Sequence, residues 1–178
     1  MEKCSRSFLK GADVTPRQCE IAAESYVASL LARAGYDVLV QYGANQPQYD
    51  LAAGKDKRLL PVSVKGSQDG GWMVAVKYKT KESTYHEAIQ RWLEAQRSDL
   101  IYVFVQFEGV AFGEAPRAYA ARPPEIAAHM KGQCAGRGHG VLDENARSGS
   151  GRSKYDHRVP VEWTVTPARL EQLWTPIE

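Results

Sequence analysis

The chain has 178 residues, 43% hydrophobic and 25% charged, with 15 Gly and 9 Pro, and a formal net charge of +2. That balance excludes a disordered, collagen-like or fibrous chain, and the length suits one domain with a core of its own. With so little net charge, any affinity for nucleic acid has to come from local patches. No stretch approaches the roughly 18 apolar residues of a membrane span. Met1-Glu2-Lys3-Cys4 leads into no apolar run, so no secretory signal is expected. Cys4, Cys19 and Cys134 are odd in number and widely spaced, unlike a disulfide framework, which makes a reducing cytoplasm the default location.

Thr15-Pro16 opens a first helix, with Thr15 as N-cap, Pro16 at the first helical position and Gln18 placed to close a capping box. Ala23, Val27, Leu30, Leu31 and Ala34 recur at helical spacing, and Gly35 is a natural stop, so the helix is predicted over 16–34. Strands are predicted over 37–42, 48–52 and 59–65. The turn-prone segment 43–47 separates the first two, and a hairpin turn over Gly54-Lys55-Asp56-Lys57 separates the last two. Pro61 places the third strand at a sheet edge or near its own beginning. A fourth strand is predicted over 72–77 after Gly70-Gly71.

Thr84 and Glu87 form a second capping box, opening a helix to about Gln96. Leu100 to Phe107 is strongly apolar and reads as a buried central strand. A short strand over 117–121 and a helix from Pro123 to about Met130 follow. Residues 131–156 turn to Gly, Ser and charge and are predicted to be a mobile loop, before a last helix capped by Thr166-Pro167 and ending near Trp174. The order is helix, four strands, helix, strand, then a C-terminal appendage. It predicts an α/β (α+β) fold, a mixed sheet flanked by helices in one domain over 1–178, with its core at about 16–122. Trp72, Trp92, Trp163 and Trp174 are expected to fill that core, and Cys19 to be a buried thiol.

Three charged residues sit where folding alone does not ask for them. Glu24 borders the apolar stripe of the first helix. Asp50 stands inside the apolar run Tyr49-Asp50-Leu51-Ala52, and Lys65 ends Val62-Ser63-Val64-Lys65. A hairpin can bring Asp50 and Lys65 to one end of a sheet. Carboxylates there suit Mg²⁺ or Mn²⁺, which binds a few carboxylates and keeps water and phosphate oxygens as further ligands. Such an ion polarises a phosphate and acidifies a bound water, and an adjacent ammonium stabilises the charge that develops. The constellation points to metal-assisted phosphodiester hydrolysis.

The string Glu24 … Gly35-Tyr36-Asp37-Val38 … Tyr49-Asp50-Leu51 … Val62-Ser63-Val64-Lys65-Gly66-Ser67 resembles the PD-(D/E)XK nuclease superfamily, and within it the resolvase-like and homing-endonuclease-like members. The resemblance spans about residues 16–107. It implies a restriction-endonuclease-like core, with Glu24 as the helical acid, Asp50 as the metal ligand and Lys65 as the catalytic lysine. It also implies DNA as substrate and a homodimer, because cutting both strands of a duplex usually takes two sites. The chain departs from the pattern at Tyr49, in place of the motif's proline, and at Ser63, in place of the second strand acid. Ser63 then lines the site as a neutral group, and Asp69 is the nearest acid able to substitute.

Plainer readings stand beside these. Glu24 could pair with a basic side chain, with Glu20 one turn earlier competing for its role; Asp50 could cap the turn after Pro47; Lys65 could be an edge-strand lysine that blocks aggregation. Between Leu51 and Glu82, seven basic residues (Lys55, Lys57, Arg58, Lys65, Lys77, Lys79, Lys81) face three acidic ones. Lys77, Lys79 and Lys81 alternate, as three ammoniums on one side of an extended strand would. They could bind phosphates without regard to sequence, or form a solvated face. Cys134, His139 and His157 lack the fourth ligand and close pairing of a structural zinc site. Because of Ser63, the alternative to an endonuclease is the same fold with a decayed site, binding nucleic acid or a protein without cutting. An interaction or immunity-type protein with an incidental basic patch is a third reading.

Overall fold

The computed structural model describes residues 14–41, 49–145 and 158–175. Helix α1 (Pro16–Arg33) begins where the capping box demands: Gln18 N–H donates to the Thr15 hydroxyl at 3.3 Å, and Thr15 N–H donates to the Gln18 side chain at 2.9 Å. Strands β1 (Asp37–Val40), β2 (Leu51–Lys55) and β3 (Arg58–Ser67) follow as an antiparallel meander. A short strand β4 (Gly71–Met73) and a 3₁₀ turn (Val76–Tyr78) lead to α2 (Tyr85–Glu94), which opens on the Thr84–Glu87 capping box. Strand β5 (Ile101–Gln106) then returns parallel to β3, and β6 (Arg117–Ala121) pairs antiparallel with β5. Helix α3 (Pro123–Gly136), strand β7 (Val141–Asp143), a 3₁₀ turn (Val161–Trp163) and α4 (Pro167–Trp174) complete the described chain.

The main sheet has the order β1-β2-β3-β5-β6, and β4 pairs with β7 in a separate two-stranded ribbon. Every residue of β5 is buried, because each face of the sheet carries its own hydrophobic layer. Ile101, Val103 and Val105 join α1 and α4 through Val27, Leu31, Leu170 and Trp174. Tyr102 and Phe104 join the opposite layer with Trp72, Ile89, Trp92, Ile126 and Trp163. All four tryptophans are buried, as is Cys19. The mixed sheet flanked by helices therefore agrees with the sequence expectation. No described helix is long and apolar enough to cross a membrane.

Several local expectations are corrected. The third strand is interior rather than an edge: Pro61 sits opposite Ala52 on β2, while the parallel ladder to β5 begins only at Val62. Pro61 lies one residue before that ladder, where a missing N–H is tolerated. The β2–β3 turn is only Asp56-Lys57, both at positive φ (51° and 64°), so Gly54 and Lys55 belong to the strand. The second strand runs 51–55 rather than 48–52, and Gln48 and the turn at 43–47 lie outside the described residues.

The predicted strand over 72–77 stops at Met73 and becomes the 3₁₀ turn, so Lys77, Lys79 and Lys81 do not alternate on an extended strand. The larger correction concerns 131–156. Helix α3 continues past Met130, and β7 follows, with Asp143 and Glu144 buried. Regular helical geometry ends at Gln133, and Cys134 and Ala135 then turn through left-handed φ values of 53° and 55°. Residues 146–157, including His157, lie outside the described residues.

Candidate active site

The site is assembled at the point where β2 leaves β3. Pairing between them covers Leu51–Lys55, and Asp50 lies just before it. Asp50 N–H still donates to the Val62 carbonyl at 2.9 Å, and its carboxylate Oδ2 accepts the Val64 N–H at 2.6 Å. A side chain thus takes over the ladder where the backbone gives out. The Ser63 hydroxyl donates to the same Oδ2 at 3.3 Å. Both bonds fall on one oxygen, leaving Oδ1 open among the described residues.

Helix α1 brings Glu24 to this place because it packs very closely on β3. A Cβ at Gly66 would stand 2.9 Å from the Cys19 carbonyl oxygen, 3.0 Å from the Ala23 Cβ and 3.0 Å from the Cys19 sulfur. Only glycine admits that approach, the usual meaning of a glycine inside a strand. Cys19, Ala23, Val27 and Leu31 form the buried stripe of the helix, and Glu24 rides on its border, half-buried.

Burial pushes the Glu24 carboxyl above its ordinary range, and the Asp50 carboxylate pushes it further in the same direction. Arg17 pulls it back down, Glu20 adds to the rise, and Lys65 also acts to lower it. Glu24, Asp50 and Lys65 therefore lie within one electrostatic neighbourhood, supplied by a helix, the residue before a strand and the far end of the next strand. Neither Glu24 nor Lys65 has a hydrogen-bond or ion-pair partner among the described residues. Glu20 instead pairs with Arg17 at 3.2 Å on the exposed side of the helix.

Across the sheet, Ser63 is opposite Tyr102 on β5. The Tyr102 hydroxyl donates to the Gln96 side chain at 2.7 Å, and burial raises its pKa to about 12. Tyr78 and Asp50 both add to that rise. Asp69 is engaged elsewhere: the Ser67 hydroxyl donates to it at 2.9 Å.

The two carboxylates suit a hard divalent cation that fills its remaining positions with water and phosphate oxygens. Two acids without an ion-pair partner, the carboxyl of one raised in part by the charge of the other, form a place where added positive charge is favourable. Among the described residues, no group of three or more His, Cys, Asp or Glu is arranged to hold a metal. Glu24 and Asp50 are thus the residues that could hold one, with Ser63 as a neutral neighbour.

The remaining basic candidates are dispersed. Lys55 pairs with Glu171 at 3.0 Å and stands 5.2 Å from the Tyr36 ring centroid; Arg58 donates to the Trp174 carbonyl and lies over its ring. Both secure α4 at the hairpin end of β3, seven residues or about 23 Å of strand from Lys65. Lys57 is exposed at the turn. Lys77 lies 5.2 Å over Tyr78, and Lys79 lies 5.5 Å over Tyr85, while Lys81 is exposed. A surface cavity of about 500 Å³ lined by Glu125, His129, Trp163 and Arg169 includes none of Glu24, Asp50 or Lys65.

Sequence reasoning missed the Val64 N–H, Tyr102 and the role of Gly66. The glycine within an otherwise apolar strand was the one available signal for the third. No family model and no curated protein matches the chain. Among solved structures it is similar to a bacterial homing endonuclease, with 12% identity, a TM-score of 0.42 and coverage of 80% of this chain and 88% of that one. It is also similar to a Holliday junction resolvase of the archaeal hyperthermophile Archaeoglobus fulgidus, with 14% identity, a TM-score of 0.38 and coverage of 70% of this chain and 88% of that one.

Proposed function

We propose that the protein is a Mg²⁺- or Mn²⁺-dependent endonuclease with a restriction-endonuclease-like core that hydrolyses DNA phosphodiester bonds. The observation that supports this is the shared neighbourhood of Glu24, Asp50 and Lys65: two carboxylates and an ammonium, each with open hydrogen-bonding capacity. Glu24 and Asp50 would hold the divalent ion. When bound, the ion supplies Lewis-acid polarisation of a phosphate and a more acidic water. Lys65, exposed on β3 two residues before its end, positions the attacking water and offsets the charge that builds on the phosphate. Ser63 helps hold Asp50 in its rotamer, as the Val64 N–H does. DNA phosphates are held by Lys57, Lys77, Lys79 and Lys81, with Lys57 and Lys81 the most available, while Lys55 and Arg58 are occupied by α4. A homodimer accounts for cutting both strands.

The test is incubation of the purified chain with supercoiled plasmid in Mg²⁺ or Mn²⁺. Nicking is expected in the wild type and is expected to vanish in Lys65→Ala and Asp50→Asn. A second reading rests on Ser63, which supplies a hydroxyl where a further acid would complete the metal site. On that reading the chain binds DNA without cutting it. Absence of nicking together with salt-sensitive DNA binding would decide for it.

A further inference from the structure

Two tyrosines packed against one hydrophobic layer, Tyr49 and Tyr78, each lie close under a cationic side chain. Tyr49, the immediate neighbour of Asp50 in the chain, has the Arg97 guanidinium 5.9 Å from its ring centroid. Asp99 accepts from Arg97 at 3.0 and 2.9 Å and so fixes the plane of that guanidinium. Tyr78, packed against the layer that holds Tyr102, carries Lys77 at 5.2 Å. Its carbonyl accepts from Arg91 on α2 at 3.5 Å. Both rings are half-buried at the rim of the Trp72–Phe104 layer, while Lys77, Arg91 and Arg97 are exposed.

The layer beneath already has its aromatic contacts satisfied internally, through Trp72 with Phe104, Trp92 with Tyr102 and Tyr102 with Phe104. The rim tyrosines are different: each is half-buried, with a cation set over its ring. That pairing is the chemistry by which proteins hold single strands, with bases on π-faces and phosphates on the adjacent charge. Duplex DNA keeps its bases stacked inside and offers such rings nothing to stack on.

We propose that Tyr49 with Arg97, and Tyr78 with Lys77 and Arg91, form a platform that takes unpaired nucleotides next to Asp50. The preferred substrate is then a nucleic acid with a single-stranded or frayed segment at the scissile position. This deepens the endonuclease reading and rests on it for the cutting step alone; the binding step stands separately.

The experiment measures anisotropy of a fluorescein-labelled 20-nucleotide strand, and of the same strand as a duplex, with the full chain in Ca²⁺ at fixed salt. Tyr49→Leu, Tyr78→Leu and Arg97→Gln are expected to weaken single-strand binding about fivefold or more each while duplex binding changes little. Tyr49→Phe and Tyr78→Phe, which keep the rings, are expected to bind like wild type, and thermal melts check that each variant is folded. Equal loss on both substrates, no loss on either, or wild-type preference for the duplex overturns the platform. Strand-selective binding with no cleavage in Mg²⁺ overturns the endonuclease reading and leaves the platform in place. Cleavage abolished by Lys65→Ala but indifferent to the tyrosine variants does the reverse.

Discussion

The Asp50 carboxylate accepts the backbone N–H of Val64 at 2.6 Å, so the residue proposed as a metal ligand also closes the ladder where β2 leaves β3. Fold and chemistry therefore compete in any substitution there. Asp50→Asn keeps an acceptor oxygen and is expected to stay within about 1 kcal/mol of wild-type stability while losing nicking. Asp50→Ala orphans the N–H and should cost about 1–3 kcal/mol as well. Urea denaturation of both variants beside plasmid nicking separates the two effects.

Glu24 carries a pH signature. Its carboxyl is raised in the folded protein, first by burial and then by Asp50, so the folded state holds the proton more tightly than the unfolded state. The associated stability is present below the ordinary glutamate range and is lost as pH rises through the raised folded value. Glu24→Gln is thus expected to melt higher than wild type at neutral pH in EDTA, with the gap closing under acid. Mg²⁺ should raise the wild-type Tm and leave Glu24→Gln less affected. Thermal melts across pH, with and without the ion, measure both.

Gly66 is the residue on which the helix-to-strand distance depends. A methyl group there meets the Cys19 carbonyl at 2.9 Å, and backbone cannot step aside as a flexible side chain can. Gly66→Ala is expected to cost about 1–3 kcal/mol by overpacking and to move Glu24 away from Asp50. Its nicking should fall even at temperatures where circular dichroism shows it folded.

Glu144 tests whether the segment after α3 is structural. Its carboxylate is buried, with Arg117 donating to it at 2.7 and 2.9 Å and the Tyr119 hydroxyl at 2.8 Å. Burial and this contact raise the pKa of Tyr119 to about 12. Glu144→Ala strands a guanidinium and a phenol and is expected to cost roughly 2–4 kcal/mol. Tyr119→Phe, which removes one hydroxyl and keeps the ring against Trp72, should cost about 1 kcal/mol. Chemical denaturation of both variants checks the order.

What could be read from the chain alone was what neighbours in sequence decide. Thr15-Pro16-Gln18, Thr84-Glu87 and Thr166-Pro167 each start a helix where expected, because a cap is made within three residues. The apolar run at 101–106 became a strand buried on both faces, as its short length and its β-branched and aromatic residues favour. The candidate acids and lysine could likewise be picked out, as charges interrupting apolar patterns.

Tertiary contacts decided the rest. Residues 131–145 read as loop because their order comes from partners far away: β4 for the strand and Arg117 for Glu144, 27 positions earlier. Lys55 and Arg58 read as free surface charge, yet they are engaged by a helix whose contacts with them span 116 positions. Glu24 comes into electrostatic range of Asp50 and Lys65 only in the folded chain, where Gly66 lets α1 press onto β3. Local propensity acts over three or four residues, whereas packing and buried charge act through space. The caps and strands were therefore written in the order of the letters, while the electrostatic coupling of Glu24 to Asp50 and Lys65 had to await the folded chain.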